Sequence, residues 1–338
     1  MSILAKDIGI DLGTSTTMIY VRGRGIVLRE PSVVAINGIT NEVLAVGSMA
    51  KEMLGRTPDT ILALKPLKGG VIANFYATKM MLEKFISKVT DKRVFNKPRA
   101  VVCVPSGVTD VEERAVEEVV YSSGAREVYI MEEAMAAAIG AGLKVDSPEG
   151  TMIVDIGGGT TEVAVISLGG IVSSTSIRVA GDDIDKDIIE YIKTNRNVLL
   201  GDTAAEEIKN TIGAAYSSMT EERMQVKGRE LTTGLPETIT VTTSEIQQAM
   251  QRVIEEILRA INITLERTPP EIAADVMGNG IVISGGGAYI KNIDRYINSI
   301  VNIPVHLADN PLDCVIKGTG VALNNIEVLK KAAKKRRK

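Results

Sequence analysis

The sequence is poor in the residues used by disulfide frameworks, zinc sites and aromatic binding surfaces. Its 338 residues include one His, two Cys, three Phe and no Trp. Cys103 and Cys314 each adjoin a Val, so we expect buried thiols and a reducing compartment rather than a disulfide framework. His306 alone cannot build a zinc site with two distant cysteines. We therefore expect neither a zinc protein nor histidine-based catalysis.

Long hydrophobic runs are also missing. No stretch approaches the roughly 20 apolar residues of a membrane-spanning helix, and residues 1–6 are too short and too little apolar for a signal peptide. Hydrophobic residues nevertheless make up 45% of the chain, which is enough to bury more than one core. We expect a cytoplasmic protein with two domains or a bilobal fold.

Positive charge is concentrated at the carboxyl terminus. The last nine residues carry seven Lys or Arg, and because the whole chain carries −3, the preceding 329 residues carry −10. Such a tail is either a solvated terminus, which is the common case, or an electrostatic tether to anionic lipid or nucleic acid. Since few aromatic residues are present and none is interleaved with the basic ones, nucleic-acid binding is the weaker interpretation.

The most informative stretch is Val154-Asp155-Ile156-Gly157-Gly158-Gly159-Thr160-Thr161. Apolar and β-branched residues surround it without a helix start signal, so its glycines are predicted to form the turn of a β-hairpin. P-loops and dinucleotide-binding loops run instead from a strand into a helix. Glycine lets backbone N–H groups approach phosphate oxygens, and the Asp can hold a hydrated Mg²⁺. The stretch therefore predicts phosphate and metal chemistry.

A similar stretch, Ile8-Gly9-Ile10-Asp11-Leu12-Gly13-Thr14-Ser15-Thr16-Thr17, occurs near the amino terminus. One Gly-Thr turn alone is ordinary hairpin chemistry. Two copies at domain-sized spacing predict a duplicated α/β unit, with a phosphate chain held between two facing hairpins. A third cluster, Gly285-Gly286-Gly287-Ala288, follows an apolar strand and is predicted to seat the nucleoside.

In this order the motifs resemble those of the ATPase superfamily of actin, heat-shock chaperones and sugar kinases. The closer resemblance is to the MreB family of bacterial actin homologues, and it covers essentially the whole chain. The blocks that carry it are Gly9-Ile10-Asp11-Leu12-Gly13-Thr14, Arg29-Glu30-Pro31-Ser32-Val33-Val34, Val104-Pro105-Ser106-Gly107, Glu132-Glu133, Ala136-Ala137-Ala138-Ile139-Gly140-Ala141-Gly142 and Ser167-Leu168-Gly169-Gly170-Ile171.

The resemblance implies an α/β, actin-like bilobal ATPase fold. Two duplicated α/β domains, each with a small inserted subdomain, would enclose a nucleotide cleft. The implied boundaries are 1–33, 74–144 and 315–338 for subdomain IA, 34–73 for IB, 145–181 and 244–314 for IIA, and 182–243 for IIB.

It also implies a site for ATP or ADP with Mg²⁺. Glu133, Thr160 and Asp155 are the implied catalytic residues, with Glu133 and Thr160 holding the attacking water, and Asp11 and Asp155 are the metal residues, largely through water. The implied nucleotide-binding residues are Gly13, Thr14, Ser15, Thr16, Gly157, Gly158, Gly159, Thr160, Glu206, Lys209, Gly285, Gly286, Gly287 and Ala288. Without the resemblance, Glu133 would be a helix-end charge, and Glu206 with Lys209 an exposed helical pair.

The implied function is an ATP-hydrolysing protein that forms membrane-associated filaments governing cell shape, through wall-synthesis guidance or motility. Its partners would be further copies of itself, in paired protofilaments, an anionic membrane at the inner face of the cell and membrane morphogenesis proteins, but no nucleic acid. The implied membrane residues are Val94, Phe95, Lys334, Lys335, Arg336, Arg337 and Lys338. A small-molecule kinase is the alternative, although no extra base for an acceptor hydroxyl is evident. A chaperone would need a peptide-binding domain for which no chain remains.

Three helix signals complete the prediction. Ser244 and Gln247 form a capping box for a long helix that ends before Pro269 and Pro270. The stretch 204–218 is predicted as the helix that carries the Glu206 and Lys209 pair. Residues 318–320 are predicted to begin the last helix.

Overall fold

The computed structural model describes residues 7–90, 97–216 and 220–326. In chain order its strands are β1 (Ile8–Leu12), β2 (Thr16–Val21), β3 (Gly25–Pro31), β4 (Val34–Asn37), β5 (Val43–Val46), β6 (Ile61–Leu64), β7 (Leu67–Lys68), β8 (Val71–Ile72), β9 (Arg99–Val104), β10 (Glu127–Glu132), β11 (Thr151–Ile156), β12 (Thr161–Ser167), β13 (Gly170–Ile177), β14 (Val198–Leu199), β15 (Arg223–Glu230), β16 (Pro236–Thr242), β17 (Ile281–Ser284) and β18 (Val305–Leu307). Its helices are α1 (Ser48–Lys51), α2 (Phe75–Val89), α3 (Asp110–Ser122), α4 (Glu133–Gly140), α5 (Gly181–Arg196), α6 (Asp202–Ile212), α7 (Thr243–Glu266), α8 (Pro270–Asn279), α9 (Ile293–Val301) and α10 (Cys314–Ala322). Short 3-10 turns occur at Gly286–Tyr289, Pro311–Asp313 and Leu323–Asn325.

Two five-stranded sheets, one from each half of the chain, share one topology. The strand order is β10-β9-β1-β2-β3 in the first sheet and β13-β12-β11-β17-β18 in the second. In each, three consecutive strands form an antiparallel meander, and two later strands add in parallel beside the first strand of that meander. The repeated topology confirms the predicted duplication of an α/β unit.

The central strands are apolar because helices cover both sheet faces. Every residue of β1, β11 and β12 is buried, and their sequences are rich in the β-branched residues that suit such strands. Helices α2 and α3 contribute to the core of the first sheet, while α5, α6 and α7 contribute to the core of the second. No helix in the described part of the chain is long and apolar enough to cross a bilayer.

Helices α4 and α10 cross closely because glycine and alanine line their contact. A Cβ at position 140 would lie 1.7 Å from the carbonyl oxygen of Cys314, and one at position 318 would lie 1.9 Å from that of Ala136. Gly318 and Gly320 therefore lie inside α10, and the prediction that this stretch begins the last helix is wrong. The small residues of α4 therefore serve packing, and the close crossing fixes the amino end of α4, where Glu133 lies.

The remaining strands form smaller sheets. Strands β5-β4-β6 form one, β14-β15-β16 another, and β7 and β8 a two-stranded hairpin.

Two helix predictions need correction. Helix α7 begins at Thr243, with Thr242 and Glu245 forming its capping box in place of Ser244 and Gln247. Helix α6 ends at Ile212, because the chain then turns at Gly213 and Ala215 donates to the carbonyl of Lys291 (2.8 Å).

Candidate functional site

A cavity of about 570 Å³ lies where the β1–β2 and β11–β12 hairpins face each other. Most of the predicted site residues line it. The predicted residues found there are Asp11, Gly13, Thr14, Ser15, Thr16, Glu133, Asp155, Gly157, Gly158, Gly159, Thr160, Glu206, Lys209, Gly285, Gly286 and Gly287. One cavity therefore brings together residues from positions 11 to 287, and its volume falls within the range of small-molecule sites.

The two hairpin turns approach each other closely because the second turn has no side chains at its centre. A Cβ at position 158 would lie 2.1 Å from Ser15 Oγ, and one at position 159 would lie 2.5 Å from Thr14 Oγ1. The second turn is closed by the Gly157 N–H, which donates to the Thr160 carbonyl (2.9 Å). The prediction that these glycines form a β-hairpin turn is confirmed. Glycine thus leaves the backbone open to a group that enters between the turns.

Asp11 and Asp155 occupy equivalent places near the carboxyl ends of β1 and β11. Burial, followed by the charge of Asp155, raises the pKa of Asp11 to about 7. Burial also raises the pKa of Asp155 to about 6, although its carboxylate accepts a hydrogen bond from Ser284 Oγ (2.6 Å). Two buried carboxyls that repel each other favour a bound cation. The donor set therefore fits Mg²⁺.

The manner of cation binding follows from the number of available protein ligands. Among the described residues, no three His, Cys, Asp or Glu side chains are placed to hold one ion together. Mg²⁺ keeps several waters and is often bound by one or two carboxylates and substrate phosphates. A cation between Asp11 and Asp155 would accordingly be held largely through water and phosphate.

Glu133 begins α4 and faces the same cavity. Its side chain is partly exposed to the cavity, although its carboxyl group is buried among protein atoms. Burial, followed by the charges of Asp155, Glu162 and Asp11, raises its pKa well above the usual range. A carboxyl with a raised pKa near other acids in a cleft is typical of a proton-handling group. Thr160, which is 6% exposed, lines the same cavity.

Glu162 is a residue of this region that the sequence analysis missed. It is 1% exposed on β12, opposite Asp155, and its carboxylate accepts hydrogen bonds from the Ser106 N–H (2.9 Å) and the Ser176 hydroxyl. Burial raises its pKa to about 7, against the lowering effect of these hydrogen bonds. An acid inside an otherwise apolar strand is the sequence signal that marks it. Glu162 links the end of β9 to the second sheet.

Glu206 and Lys209 lie at one side of the cavity with partners that the sequence analysis did not identify. Lys209 Nζ is 2.7 Å from Asp185 Oδ1 and donates to the Gly181 carbonyl (2.9 Å). Glu206 is paired with Lys51 (2.8 Å), which comes from the other half of the chain. Both side chains line the cavity, and Glu206 is engaged there by the Lys51 ammonium group from the other half of the chain.

A second pair also crosses the opening. Lys65 Nζ lies 3.0 Å from Asp182 Oδ1, and the Ser15 hydroxyl donates to the same oxygen (3.2 Å). The Lys65–Asp182 and Lys51–Glu206 pairs each join residues more than 110 positions apart. Together they connect the two halves of the molecule at the cavity mouth.

The third glycine cluster is only partly in the predicted position. Gly285, Gly286 and Gly287 line the cavity, whereas Ala288 is 2% exposed and packs in the core of the second half. The reason is the tight contact of this turn with β11, since a Cβ at position 287 would lie 2.2 Å from Ile156 Cγ2. Ala288 therefore does not line the cavity.

The adjoining wall of the cavity is apolar, and the sequence analysis did not anticipate it. The apolar residues that line it are Ile290, Pro311, Leu312 and Val315, with Tyr289 beside them. An apolar wall opposite polar turns suits a ligand that carries a planar ring on a phosphate chain. The predicted membrane residues Val94, Phe95 and Lys334–Lys338 lie outside the described residues.

Comparisons with known proteins agree with this geometry. The chain matches the family model described as MreB/Mbl protein over residues 5–331. It is 47% identical to the cell shape-determining protein Mbl of Bacillus subtilis (strain 168), across 97% of this chain and 99% of the relative. It is 49% identical to the cell shape-determining protein MreB of Escherichia coli (strain K12), across 96% of this chain and 95% of the relative.

Solved structures give the same result. The crystal structure of MreB 5 of Spiroplasma citri bound to AMPPNP has a TM-score of 0.91 and 40% identity, covering 96% of this chain and 98% of that one. A MamK filament structure shares the fold, with a TM-score of 0.81 at 21% identity. These matches confirm the actin-like fold and the bacterial-actin role, and they do not favour a kinase. The chain therefore belongs to the MreB/Mbl family of bacterial actin homologues.

Proposed function

We propose that this chain binds ATP with Mg²⁺ between its two hairpins, hydrolyses it slowly, and couples hydrolysis to assembly into membrane-attached filaments that govern cell shape. The observation that carries the proposal is the cavity in which two equivalent Asp-Gly hairpins face each other beside Glu133. The solved Spiroplasma citri MreB5, bound in separate structures to AMPPNP and ADP, supports the choice of nucleotide.

The proposed roles follow from the position of each group. The glycine turns at 13–16 and 157–160 hold the phosphates, because positioning and fixed dipoles carry most of the catalysis of phosphoryl transfer. Asp11 and Asp155 would hold Mg²⁺ through water, and the cation would then neutralise charge on the phosphates. Glu133 and the Thr160 hydroxyl hold the attacking water in line, and ionised Glu133 accepts its proton. A cation held by Asp11 and Asp155 would favour the ionised form, because it would offset the negative charges that help to raise the pKa of Glu133.

We further propose that the chain is divided into four subdomains with the boundaries implied by the resemblance. Support comes from the small sheets, since β5-β4-β6 lies within 34–73 and β14-β15-β16 lies within 182–243. The pairs Lys51–Glu206 and Lys65–Asp182 join these two insertions or their edges across the cavity mouth. Closing and opening of the cleft would then move the two insertions relative to each other.

Assembly requires surfaces that recognise another copy of the chain. Large apolar side chains are exposed on both insertions, including Ile39 (76%), Met49 (70%) and Leu235 (64%). Exposed apolar side chains of this size favour protein contacts when they cluster. We propose that such surfaces join subunits into filaments, arranged as paired protofilaments on the inner face of the cell membrane.

The experiment that tests this function combines ATP turnover with electron microscopy of the purified protein on anionic liposomes. ATP, ADP and a non-hydrolysable ATP analogue are compared. We expect ATP and the analogue to support filaments on the liposomes, and phosphate to be released slowly with ATP alone. If the protein neither cleaves ATP nor assembles under any of the three conditions, the proposal is wrong.

Removing the two cations at the cavity mouth is expected to speed nucleotide release. The double variant Lys51→Ala and Lys65→Ala should release fluorescent ADP roughly fivefold faster in a chase experiment, because two part-exposed ion pairs contribute about 1 kcal/mol together. Lys186→Ala is the matched control, since Lys186 pairs with Asp183 within α5 and does not cross the opening. Equal release rates for the double variant and the control would show that the pairs do not hold the cleft closed.

Membrane attachment is proposed to combine the basic tail with an apolar loop. Each Lys or Arg near an anionic surface contributes about 1 kcal/mol and is screened by salt. Val94 and Phe95, if inserted, contribute roughly 1.5–3 kcal/mol each without screening. One chain therefore binds weakly, and a filament multiplies the attachment through avidity.

Deleting Lys334–Lys338 is expected to weaken co-sedimentation with anionic liposomes at low salt and to flatten its salt dependence. Phe95→Ser is expected to reduce the binding that persists at high salt, whereas Phe95→Leu, which keeps the apolar side chain, should retain most of it. A truncated protein that pelleted as well as the full chain across the salt series would identify the tail as an ordinary solvated terminus.

A further inference from the structure

The Glu30 carboxylate, near the end of β3, joins two helices of the first half of the chain. Its Oε2 accepts hydrogen bonds from the Ser48 N–H (2.9 Å) and the Ser48 hydroxyl (3.0 Å), and Ser48 begins α1. Its Oε1 accepts a hydrogen bond from Lys88 Nζ (2.9 Å), in the last turn of α2. One oxygen therefore serves α1 and the other serves α2, and Glu30 itself does not line the proposed nucleotide cavity.

The chain leaves room for this carboxylate at the start of α1. Gly47, the residue before that helix, has a φ of 69°, and a Cβ there would lie 2.3 Å from Glu30 Oε2. The Glu30 side chain is only 20% exposed. Although burial opposes the change, the hydrogen bonds from Ser48 and Lys88 lower the pKa of Glu30, so its carboxylate is ionised at neutral pH.

Helix α1 depends on Glu30 because the helix is very short. It has four residues, of which only Ala50 is buried, and the preceding Gly47 offers no side chain to cap it. A helix of this length is unstable by itself, and its first N–H groups need acceptors from outside the helix. Glu30 supplies such an acceptor from a neighbouring strand. The carboxylate therefore fixes where α1 begins.

The segment that carries Glu30 is anchored to the first phosphate hairpin. Two residues further on, the Ser32 hydroxyl donates to the Gly13 carbonyl (2.6 Å), and the Ser32 N–H donates to the Ser15 carbonyl (3.0 Å). Ser32 is fully buried. The position of Glu30 is thus fixed relative to the turn that is proposed to hold the phosphates.

The other end of α1 reaches across the mouth of the cavity. Lys51 is the last residue of α1, and its Nζ lies 2.8 Å and 3.0 Å from the two carboxylate oxygens of Glu206, which lines the cavity from the second half of the chain. Ser48 and Lys51 are three residues apart, about one helical turn. A displacement at Ser48 therefore moves Lys51, and a continuous series of contacts runs from Lys88 through Glu30 to Glu206.

We propose that Glu30 is a positioning residue for the nucleotide site, which holds α1 so that Lys51 reaches Glu206, and that these contacts couple the carboxyl end of α2 to nucleotide release. The inference rests on the proposed nucleotide binding but does not require ATP hydrolysis. Glu30 touches no nucleotide and acts only through Lys51. Because such coupling is reciprocal, a bound nucleotide also changes the surroundings of the end of α2.

The first test measures release of fluorescent ADP from the full-length protein in a stopped-flow chase. Gln has a single acceptor oxygen, so Glu30→Gln cannot serve both Ser48 and Lys88. We expect about twofold faster release from Glu30→Gln, from Lys51→Ala and from their combination, because all three lose the same contact across the cavity mouth. Glu83→Gln is the matched control, since its pair with Lys79 lies within α2, and it should leave release unchanged.

The second test detects the coupling at α2 directly. Ser87 is exposed beside Lys88, and both native cysteines are buried, so Ser87→Cys allows an environment-sensitive fluorophore to be attached at one place. ADP is expected to change the emission of this label. Adding Glu30→Gln should remove at least half of the change, whereas adding Glu83→Gln should leave it intact.

The outcomes separate this inference from the proposed function. If Glu30→Gln released ADP at the normal rate, or if its effect multiplied with that of Lys51→Ala to about fourfold, Glu30 would not act through Lys51 and the inference would be wrong. A label that responds to ADP equally with and without Glu30→Gln would also overturn it. If the unmodified protein bound no ADP, the proposed nucleotide site would fail together with the inference. If ADP is released as expected but ATP is never cleaved, the role of Glu30 stands and only the proposed hydrolysis is wrong.

Discussion

Replacing Glu133 by Gln is expected to lower the rate of ATP cleavage at least tenfold, while nucleotide affinity stays within about twofold. General-base catalysis by a positioned side chain contributes about 10²–10⁴-fold, and Gln keeps the size of Glu but cannot accept the proton. The nucleotide contacts of the two hairpins are unaffected, so binding survives. Single-turnover cleavage and fluorescent-nucleotide titration on the same preparations separate the two effects.

The neighbouring Glu132 provides a matched control for this variant. It is the residue immediately before α4, so its charge also acts at the amino end of that helix, but it does not line the cavity. Glu132→Gln should leave cleavage within about twofold. If Glu133→Gln reduces cleavage by less than tenfold, which is about 1.4 kcal/mol of barrier, Glu133 is merely a helix-end charge.

The stability of the Glu133→Gln variant distinguishes a catalytic role of Glu133 from a role in folding. The pKa of Glu133 is raised by burial and then by the charges of Asp155, Glu162 and Asp11. Removing one acid from a mutually repelling group relieves that repulsion, so the melting temperature should not fall. A lost activity with unchanged or increased stability is the pattern expected of a functional carboxylate.

The two phosphate hairpins could be predicted from sequence because their signals are local. A run of apolar and β-branched residues, three glycines and two hydroxyls specify strand, turn and strand within 16 residues at 151–166. The repeat of this pattern at Asp11 then indicated two units, which the matching sheet topologies confirm. The local sequence pattern and its internal repetition were therefore sufficient to predict the two hairpins at the centre of the site.

The pairs that close the site could not be predicted in the same way. Lys51 meets Glu206 and Lys65 meets Asp182 only because the fold brings distant segments together. Nothing in the spacing of these residues identifies the partners, and most charged residues lie on the surface. The role of Glu162 as a link to Ser106 and Ser176 depends equally on the packing of the two halves.

The predicted helix boundaries were wrong where two local signals competed or where tertiary packing was decisive. Thr242 with Glu245 and Ser244 with Gln247 both have capping-box spacing, and the strand β16 that ends at Thr242 selects the first. Gly318 and Gly320 would usually weaken a helix. Here the crossing with α4 requires the missing Cβ atoms, so packing outweighs intrinsic propensity.

Asp7, immediately before β1, and Asp11, near the end of that strand, show how a structural carboxylate differs from a functional one. Asp7 pairs with Arg99 (2.7 Å), and although burial opposes it, the Arg99 hydrogen bond and charge hold its pKa below the usual value. Asp11, four residues later, makes no ion pair with another described residue, and burial and the nearby Asp155 raise its pKa to about 7, although the charge of Arg29 acts to lower that pKa. Arg99 neutralises the charge of Asp7. The charges of Asp11 and Asp155 are left to be neutralised by a ligand.

Asp155→Asn is accordingly expected to weaken Mg²⁺-dependent ATP binding at least tenfold, or about 1.4 kcal/mol, because it removes one of two carboxylates available to the cation. Asn can still accept the Ser284 hydrogen bond, and the loss of charge relieves repulsion, so the melting temperature should not fall. ATP titrations at several Mg²⁺ concentrations measure the effect. Asp7→Asn is the matched control, and it should lower the melting temperature through the lost Arg99 pair while Mg²⁺-dependent affinity stays within twofold. If Asp155→Asn instead behaved like this control, Asp155 would have only a structural role, and Mg²⁺ would have to be held by Asp11 and the phosphates alone.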